Sequence, residues 1–349
     1  MKIALIAPPF ISVPPKKYGG TELFIAELAE GLQQEGVEVV VYTIGESTVN
    51  VPKKWRYEKE NWPVCGDPEA NLKSLSHSAW AVNDAAADAD VIHLNNAPGL
   101  CFSQFVKAPF VYTLHHAYEK HLVEYYGLLP DVRYVSISEF QRQALGMRQA
   151  RTIHHGLRLS RYRLQETKQH YLSFLGRIAP AKGTHLAIEI AKQAGIPLRI
   201  AGEIQPIYRE YWEQRIQPLV DGTFIQYVGE VGLAEKNALL GGSLAMLFPV
   251  QWEEPFGLVM IEAMACGTPV LAMPGGSVSE IIQEGVNGCV RETVSDLANC
   301  AKDLKFKADA IRRYAEQNFA LERMVREYIK VYSEIIDARG GRAEELSVA

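Results

Sequence analysis

The chain lacks long apolar segments and paired-cysteine motifs. Its first apolar run, Ile3-Ala4-Leu5-Ile6-Ala7, ends at Pro8-Pro9, and no other stretch approaches the roughly eighteen apolar residues of a membrane-spanning helix. The cysteines, none of which shows CxxC spacing, are Cys65, Cys101, Cys266, Cys289 and Cys300. An odd number without such spacing is typical of reduced thiols. We therefore expect a cytoplasmic protein with no integral membrane segment.

The sequence also lacks an excess of charge of either sign. Its net charge is −5 and its pI is about 6.0. Proteins that bind DNA or RNA through the phosphates need a basic face, so we expect no nucleic-acid partner. No GxGxxG motif follows the first apolar run, and no acidic residue stands about twenty positions further on in a ribose-binding position. These two absences argue against a nicotinamide-dependent dehydrogenase.

Strand and helix signals alternate along the chain. With 349 residues, 48% of them apolar, the chain can support two domains, each with its own core. Polar residues 157–169 lack apolar periodicity and indicate a linker. We predict an α/β protein of two Rossmann-like, doubly wound parallel-sheet domains facing a cleft. The N-terminal domain would span 1–160 and the second domain 161–325, followed by a C-terminal helix at 326–349 that packs back across both.

The alternation also predicts the individual elements. In the first domain it predicts strands at 2–7, 37–43, 91–94, 110–114 and 133–136, and helices at 21–34, 70–87 and 139–145. In the second domain it predicts strands at 171–175, 198–201, 224–228, 244–248 and 269–273, and helices at 184–193, 208–219 and around Glu262. Helical spacing returns at 321–336.

Two glutamates are the most informative feature of the sequence. Glu254 stands before Pro255-Phe256-Gly257, and Glu262 follows in a run of good helix formers that continues to Gly267. We expect Glu254 in the loop at the helix entrance and Glu262 about one and a half turns inside. Because a buried strand feeds this loop, both carboxylates should face the crevice beyond the carboxyl ends of the strands.

Basic residues and glycines form a second group of candidates. Arg177 and Lys182 flank a tight loop that follows the strand at 171–175 and leads into a helix, so their charges and free backbone N–H groups can converge on a diphosphate. Gly19 and Gly20 close the first connection from strand to helix in the first domain. Glycines at such a position permit close approach of the backbone to an anion.

Histidines and a pair of aspartates complete the candidates. His115 and His116 stand at the end of the strand at 110–114, and we expect one of the two in the cleft. Asp88 and Asp90 match an acidic DxD metal motif, but they precede the strand at 91–94, at the wrong end of the sheet for the cleft. We interpret them as a solvated turn and expect no metal site.

Taken together, these motifs resemble those of retaining glycosyltransferases of family four, which have the GT-B fold. The resemblance spans almost the whole chain, and its elements occur in the expected order: Gly19-Gly20, Thr113 with His115, Gly176-Arg177 to Lys182-Gly183, and Glu254 and Phe256-Gly257 with Glu262. Each motif alone has little specificity, whereas the ordered set is highly specific.

The resemblance implies that residues 1–160 form the acceptor-side domain and residues 161–325 the nucleotide-sugar domain, and it implies a role for each site residue. Glu262 would hold the ribose hydroxyls of a sugar nucleotide, and Glu254 would contact the donor sugar. Arg177 and Lys182 would neutralise the diphosphate, and His115 would touch the sugar from the N-terminal side. The backbone amides of Phe256, Gly257 and Leu258 would approach the sugar and phosphates, while Gly229 and Val231 would border the base.

The sequence departs from the family pattern in two places. Val250-Gln251 stand where Pro-Ser is frequent, and His116 stands where an acidic residue is common after the histidine. Neither position belongs to the core set of motifs. The second departure bears on the acceptor side of the cleft.

These observations predict a metal-independent retaining glycosyltransferase. It would move a hexosyl group from a nucleotide sugar, with UDP-glucose as the default co-substrate, to an unidentified hydroxyl acceptor, without any other cofactor. Cations at the departing diphosphate should matter most, because the reaction passes through an oxocarbenium-like state. A glycosidase, a GT-B sugar-nucleotide epimerase and a non-catalytic nucleotide-sugar binding protein remain alternatives.

Overall fold

The computed structural model of the protein describes residues 1–17, 19–64 and 68–347, with side chains described up to Arg339. Cys65 lies outside the described residues, as do the last two residues of the predicted C-terminal segment. No helix in the described part of the chain is long and apolar enough to cross a membrane.

The first sheet contains seven parallel strands in the order β3-β2-β1-β4-β5-β6-β7. The central strands are buried on both faces, which is what their near-continuous runs of Val, Ile, Leu and Tyr require. The strands are β1 Lys2–Ile6, β2 Glu38–Ile44, β3 Lys53–Tyr57, β4 Val91–Leu94, β5 Phe110–Thr113, β6 Arg133–Ser136 and β7 Arg151–Thr152.

The second sheet contains six parallel strands in the order β10-β9-β8-β11-β12-β13. These strands are β8 Leu172–Leu175, β9 Leu198–Ala201, β10 Ile225–Tyr227, β11 Ala245–Phe248, β12 Val270–Ala272 and β13 Gly288–Val290. Both sheets are therefore doubly wound and parallel, and the predicted fold class is confirmed.

Helices cover the sheets. In the described residues of the first half they are α1 Gly20–Gln34, α2 Pro68–Ala85, α3 Lys120–Gly127 and α4 Glu139–Ala144. In the second half they are α5 Thr184–Ala194, α6 Arg209–Tyr211, α7 Leu233–Gly242, α8 Leu258–Ala265, α9 Val278–Ile281, α10 Val294–Lys302, α11 Ala308–Phe319 and α12 Leu321–Ser347. Segments of 3₁₀ helix lie between several of them, from three-residue turns to the eight residues of Ala97–Gln104.

Each sheet has one point at which the chain reverses its direction of strand addition. In the first sheet this switch point lies between β1 and β4, and in the second between β8 and β11. Loops that leave the carboxyl ends of two such strands diverge to opposite faces of the sheet, and the divergence opens a crevice where ligands bind. The two crevices are the places in this fold where a site is expected.

The end of the chain returns from the second sheet to the first. Helix α11 packs on α8 of the second half, whereas α12 packs on α1 and on the apolar face of the first sheet. Gly31 of α1 permits this approach, because a Cβ atom there would lie 2.4 Å from Cγ2 of Val325. The predicted domain limits at residues 160 and 325 stay a prediction.

A buried hydrogen-bond network fixes α12 on the first sheet. Nδ1 of His93 lies 2.8 Å from the Tyr332 hydroxyl, and Nε2 lies 2.8 Å from Oγ1 of Thr113, which is itself 2.8 Å from the Tyr328 hydroxyl. Burial lowers the pKa of His93 to about 3, so the ring is neutral and one nitrogen donates while the other accepts.

Several elements differ from the sequence-based prediction. The predicted helix at 208–219 is instead a short α-turn followed by a π-helical segment, Trp212–Ile216, and a 3₁₀ turn, Gln217–Leu219. Pro218 explains why no regular α-helix continues to residue 219, because proline has no N–H with which to form an α-helical hydrogen bond to the preceding turn. No element was predicted at the positions of strands β3, β7 and β13 and helices α3, α7, α9, α10 and α11.

We predict that Tyr332→Phe lowers the free energy of unfolding by about 1–3 kcal/mol, because it leaves a fully buried nitrogen of His93 without its partner. Urea denaturation measures the change. Tyr118→Phe is the control, since Tyr118 is 54% exposed. Equal stability of the Tyr332→Phe variant and the wild type would show that the network does not hold α12 in place.

Candidate active site between the two sheets

A cavity of about 430 Å³ lies between the two halves of the chain. Its walls come from the loops at the carboxyl ends of both sheets, so neither half encloses it alone. The cavity brings together nearly all of the predicted site residues: Gly19, Gly20, His115, Arg177, Lys182, Val231, Glu254, Phe256, Gly257, Leu258 and Glu262. Gly229 does not line it, although the adjacent Glu230 does. Their individual roles stay predictions.

Lys182 reaches the cavity through the loop after β8. This loop forms a 3₁₀ turn, Pro180–Lys182, and then enters α5 through Gly183, which has a φ of 72°. A Cβ atom on Gly183 would lie 1.9 Å from the carbonyl oxygen of Pro249. Glycine is therefore required for the loop after β8 to pack against the loop after β11.

Lys182 and Glu254 form an ion pair across the switch point of the second sheet. The ammonium Nζ lies 2.5 Å from Oε2 of the carboxylate. Trp252 supports both partners: its indole Nε1 donates to the same carboxylate oxygen at 2.9 Å, and the ammonium lies 4.6 Å from the centroid of its ring. A cation over an indole face is stabilised by the ring quadrupole. Sequence reasoning missed Trp252, which stands only two positions before Glu254.

Glu254 and Glu262 reach the cavity in different ways. Glu254 lies in the loop before α8, and Glu262 is the fifth residue of that helix, so the predicted placement of both is confirmed. Helix α8 is almost entirely buried and aims its N-terminus at the cleft through Phe256 and Gly257. Free backbone N–H groups at a helix N-terminus favour an anion there.

Glu262 is 1% exposed and is held by two residues that the sequence did not suggest. Its Oε1 accepts a hydrogen bond from the hydroxyl of Tyr162 at 2.8 Å and from Nζ of Lys236 at 3.0 Å. Both partners bind the same oxygen, which fixes the carboxylate and leaves Oε2 for another group. Tyr162 comes from the linker and Lys236 from α7, so no local spacing could have linked either to Glu262.

His115 faces the same cavity from the first sheet. Its Nε2 lies 2.9 Å from Oδ1 of Asn95, and its ring stacks on His155 at a centroid distance of 6.1 Å. Burial lowers the pKa of His115 well below its usual value, and the neighbouring histidines lower it further. Since the Asn95 oxygen accepts, Nε2 carries the proton and Nδ1 is the acceptor nitrogen of a neutral ring.

Gly19 and Gly20 form the rim of the cavity on the first domain. Gly19 has a φ of 143° and precedes α1, which begins at Gly20. Glu22, in the first turn of α1, is buried, and burial raises its pKa to about 7, with a further rise from the charge of Glu60. A carboxyl group that titrates near neutral pH beside a cleft is a candidate functional group, and the sequence-based prediction did not include it.

The aspartate pair lies away from the cleft. Asp88 forms an ion pair with Nζ of Lys2, and Asp90 accepts from the backbone N–H of the same residue at 2.7 Å, at the amino end of β4. The interpretation of this motif as an exposed turn is confirmed. Among residues 1–17, 19–64 and 68–347, no group of three or more His, Cys, Asp and Glu side chains is placed to hold a metal ion.

Comparison with known families identifies the protein class. Residues 18–171 match "Glycosyltransferase Family 4", and residues 159–314 match "Glycosyl transferases group 1". The chain belongs to glycosyltransferase family 4. This glycosyltransferase is similar to spore coat protein SA of Bacillus subtilis, with 23% identity over 95% of this chain and 99% of that protein.

Solved structures show the same fold. AviGT4, a glycosyltransferase involved in avilamycin A biosynthesis, is 25% identical, with a TM-score of 0.71 over 97% of this chain and 98% of the other. Anabaena HepE, solved in complex with UDP-glucose, is 19% identical, with a TM-score of 0.76 over 96% of this chain and 100% of the other. The glycosyltransferase therefore has the GT-B fold, with its cleft between the two sheets.

The raised pKa of Glu22 predicts a pH-dependent stability. The folded carboxyl titrates near pH 7 and the unfolded one near 4.5, so the folded glycosyltransferase binds more protons between these values and loses stability as pH rises through them. We expect Glu22→Gln to remove this loss. Relative to the wild type, its free energy of unfolding should rise by up to about 3 kcal/mol between pH 5 and pH 8.

Chemical denaturation at several pH values measures this difference. Glu124→Gln is the control for loss of one carboxylate, since the side chain of Glu124 is 66% exposed. If the difference in free energy of unfolding between Glu22→Gln and the wild type is the same at every pH, Glu22 has the same pKa in the folded protein as in the unfolded chain.

Proposed function

We propose that this glycosyltransferase transfers a hexosyl group from a nucleotide sugar, with UDP-glucose as the default donor, to a hydroxyl acceptor with retention of the anomeric configuration. The observation that carries the proposal is the convergence of Arg177, Lys182, Glu254 and Glu262 on one cavity between the sheets. The GT-B structure of HepE was solved with UDP-glucose, which supports the choice of donor. The proposed location is the cytoplasm, where thiols stay reduced.

The charges of the cleft suit a departing diphosphate. Arg177 and Lys182 come from the loop after β8, and the N-termini of α5 and α8 flank the same region. Preorganised positive charge at a leaving group lowers the barrier because it binds the transition state more strongly than the ground state. We infer that these groups replace a metal ion in the reaction.

In the proposed mechanism the Glu254 carboxylate and the donor diphosphate compete for the same group, the ammonium of Lys182. Before the donor binds, the ammonium is neutralised by a carboxylate at 2.5 Å. In the proposed complex Lys182 turns to the diphosphate, and Glu254 becomes available to the hydroxyls of the sugar. Each member of the pair thus neutralises the charge of the other in a largely buried position, until a dianionic ligand takes the place of the Glu254 carboxylate at Lys182.

The properties of His115 support retention. An inverting enzyme needs a base on the face of the sugar opposite the leaving group, and His115 is the candidate. Burial lowers its pKa well below the usual value, so it is a weak base and suits a hydrogen bond from a sugar hydroxyl better than proton abstraction. In the proposed mechanism the acceptor hydroxyl gives its proton to the departing phosphate oxygen on the same face.

Thermal shift followed by NMR tests the proposal. We expect UDP-glucose to raise the melting temperature more than GDP-glucose or ADP-glucose, since a ligand that binds only the folded state stabilises it. With water as a slow acceptor, proton NMR should show α-glucose as the first product.

The other outcomes separate the alternatives. A larger shift with GDP-glucose or ADP-glucose would refute the donor assignment, and β-glucose as the first product would refute retention. A new sugar nucleotide formed without an acceptor would indicate an epimerase. Donor binding without turnover, in water or with any acceptor, would indicate a binding protein.

The contacts of Glu262 predict a loss of nucleotide affinity in its variants. If Oε2 holds the ribose hydroxyls, Glu262→Ala should raise the Kd for UDP by at least ~10-fold, because a hydrogen bond to a charged group contributes about 1.5–3 kcal/mol. Tyr162→Phe should raise it by about 3-fold, since it only loosens the carboxylate. Calorimetric titration measures both, with Glu316→Ala as an exposed control. Unchanged UDP affinity in Glu262→Ala would refute the ribose role.

The leaving-group cations predict a loss of turnover. Arg177→Ala and Lys182→Ala should each lower kcat with UDP-glucose by about 10²-fold. The control is Lys192→Ala in the last turn of α5, which lies outside the cavity. The wild-type rate should persist in EDTA. Loss of activity in EDTA with recovery in Mg²⁺ or Mn²⁺ would contradict the metal-independent reaction.

A further inference from the structure

Two cysteine side chains are in contact at the edge of the second sheet. Cys289 is the middle residue of β13, and Cys300 stands in the last turn of α10, eleven positions further along the chain. Both are free thiols, and their sulfur atoms lie 2.9 Å apart. Cys101 and Cys266 donate to oxygen atoms instead. Since a disulfide bond is about 2.05 Å long, a displacement of less than about 1 Å would let the bond between Cys289 and Cys300 form.

The two thiols differ in their access to solvent. Cys289 is 3% exposed and belongs to the apolar core of the second half, whereas Cys300 is half-buried at the margin of that core. Burial and the contact with Cys300 raise the pKa of the Cys289 thiol. The guanidinium of Arg291, which donates to the carbonyl oxygen of Val290 at 2.7 Å, acts against this rise, because a cation favours a thiolate. A reagent from solvent therefore meets Cys300 first.

A bond between the two sulfur atoms would join an edge strand to the helix that follows it. Strand β13 is the last strand of its sheet and pairs with β12. Helix α10 packs on β12 and α5, and it buries Leu297, Ala298 and Ala301. At its start, Ser295 donates to Oε1 of Gln193 in α5 at 3.0 Å. Structure at the edge of a sheet opens locally more easily than structure at its centre, and a covalent link restrains such opening.

We propose that Cys289 and Cys300 form a reversible disulfide when the protein meets hydrogen peroxide, and that this bond stabilises the edge of the second sheet. Neither cysteine lines the cavity between the two sheets. The proposal is therefore independent of the proposed transfer function, and either can fail while the other stands.

The reaction has two steps. The thiolate of Cys300 attacks one oxygen of the peroxide and the O–O bond breaks, which gives a sulfenic acid on Cys300 and a hydroxide that takes up the proton lost from the thiol. The sulfur of Cys289 then attacks the sulfur of Cys300, the S–O bond breaks, and the hydroxyl group leaves as water with the proton of the Cys289 thiol. In sum, two thiols lose two electrons and two protons, and the peroxide becomes two water molecules. A dithiol reductant reverses the bond by thiol–disulfide exchange.

Peptide mass spectrometry on the full chain tests whether the bond forms. The protein is treated with hydrogen peroxide, its remaining thiols are blocked with N-ethylmaleimide, and it is digested with proteases that cleave after Glu, Lys and Arg. Cleavage after Glu284 and after Arg291 releases Cys289 in a peptide of its own, while Cys266 and Cys300 lie in other peptides. We expect the Cys289 peptide to be joined to the Cys300 peptide, and dithiothreitol to separate them.

Thermal unfolding tests what the bond does. The oxidised wild type should melt about 5 °C above the same sample after reduction, because a covalent loop restricts the unfolded chain. In Cys300→Ser the two treatments should give equal melting temperatures, and Cys289→Ala serves as a second variant in case the first does not fold. Cys101→Ser is the matched control, since Cys101 is also partly exposed but donates to the carbonyl oxygen of Pro98. It should show the same rise as the wild type.

Four results would overturn the proposal. The first is the absence of the joined peptide after oxidation, and the second is a bond from Cys300 to another cysteine or to a second chain. The third is oxidation of Cys300 to a sulfinic acid while Cys289 stays a free thiol. The fourth is an equal melting temperature for the oxidised and reduced wild type although the joined peptide is present, which would show that the bond does not stabilise the sheet edge.

Discussion

Parallel strand direction is the constraint on which the rest of this structure depends. All strands of a parallel sheet end at the same edge, and the loops diverge where the winding reverses. Here the reversal lies between β1 and β4 in one sheet and between β8 and β11 in the other. One cavity occupies the reversal of each sheet, and the two adjoin at Gly20 and Thr21. The site therefore follows from topology before any side chain is considered.

Within the cleft, buried carboxylates lie against cationic side chains, and this pairing offsets the free-energy cost of burying them. Lys182 and Glu254 neutralise one another on the ring of Trp252, and Glu262 is held by Tyr162 and Lys236. Buried ion pairs need such further hydrogen bonds to offset desolvation. The two carboxylates differ in consequence: the contacts of Glu262 fix one of its oxygens, whereas Glu254 pairs with the Lys182 ammonium, which in the proposed complex would bind the diphosphate instead.

Polar contacts between the two halves are made by a few residues on loops and helix ends. Glu280 accepts from the backbone N–H of Glu139 at 2.8 Å and from that of Phe140 at 2.5 Å, so the second half caps helix α4 of the first. Trp62 and Glu203 form another contact beside the cavities. Contacts of this kind are compatible with domain closure, because they can break without disturbing either core.

The sequence alone determined the fold class and most of the strands near the cleft, because buried parallel strands read as short apolar runs between glycine-rich loops. It also indicated Glu254, Arg177 and Lys182, since each stands in a loop that leaves the carboxyl end of a strand, and Glu262, which lies inside the helix that follows the Glu254 loop. Tertiary structure decided the rest. The partners of Glu262 come from the linker and from α7, and the cavity beside Glu22 forms only when the loops after β1 and β4 meet. Contacts between residues far apart in sequence leave no periodic pattern, so only packing could show them.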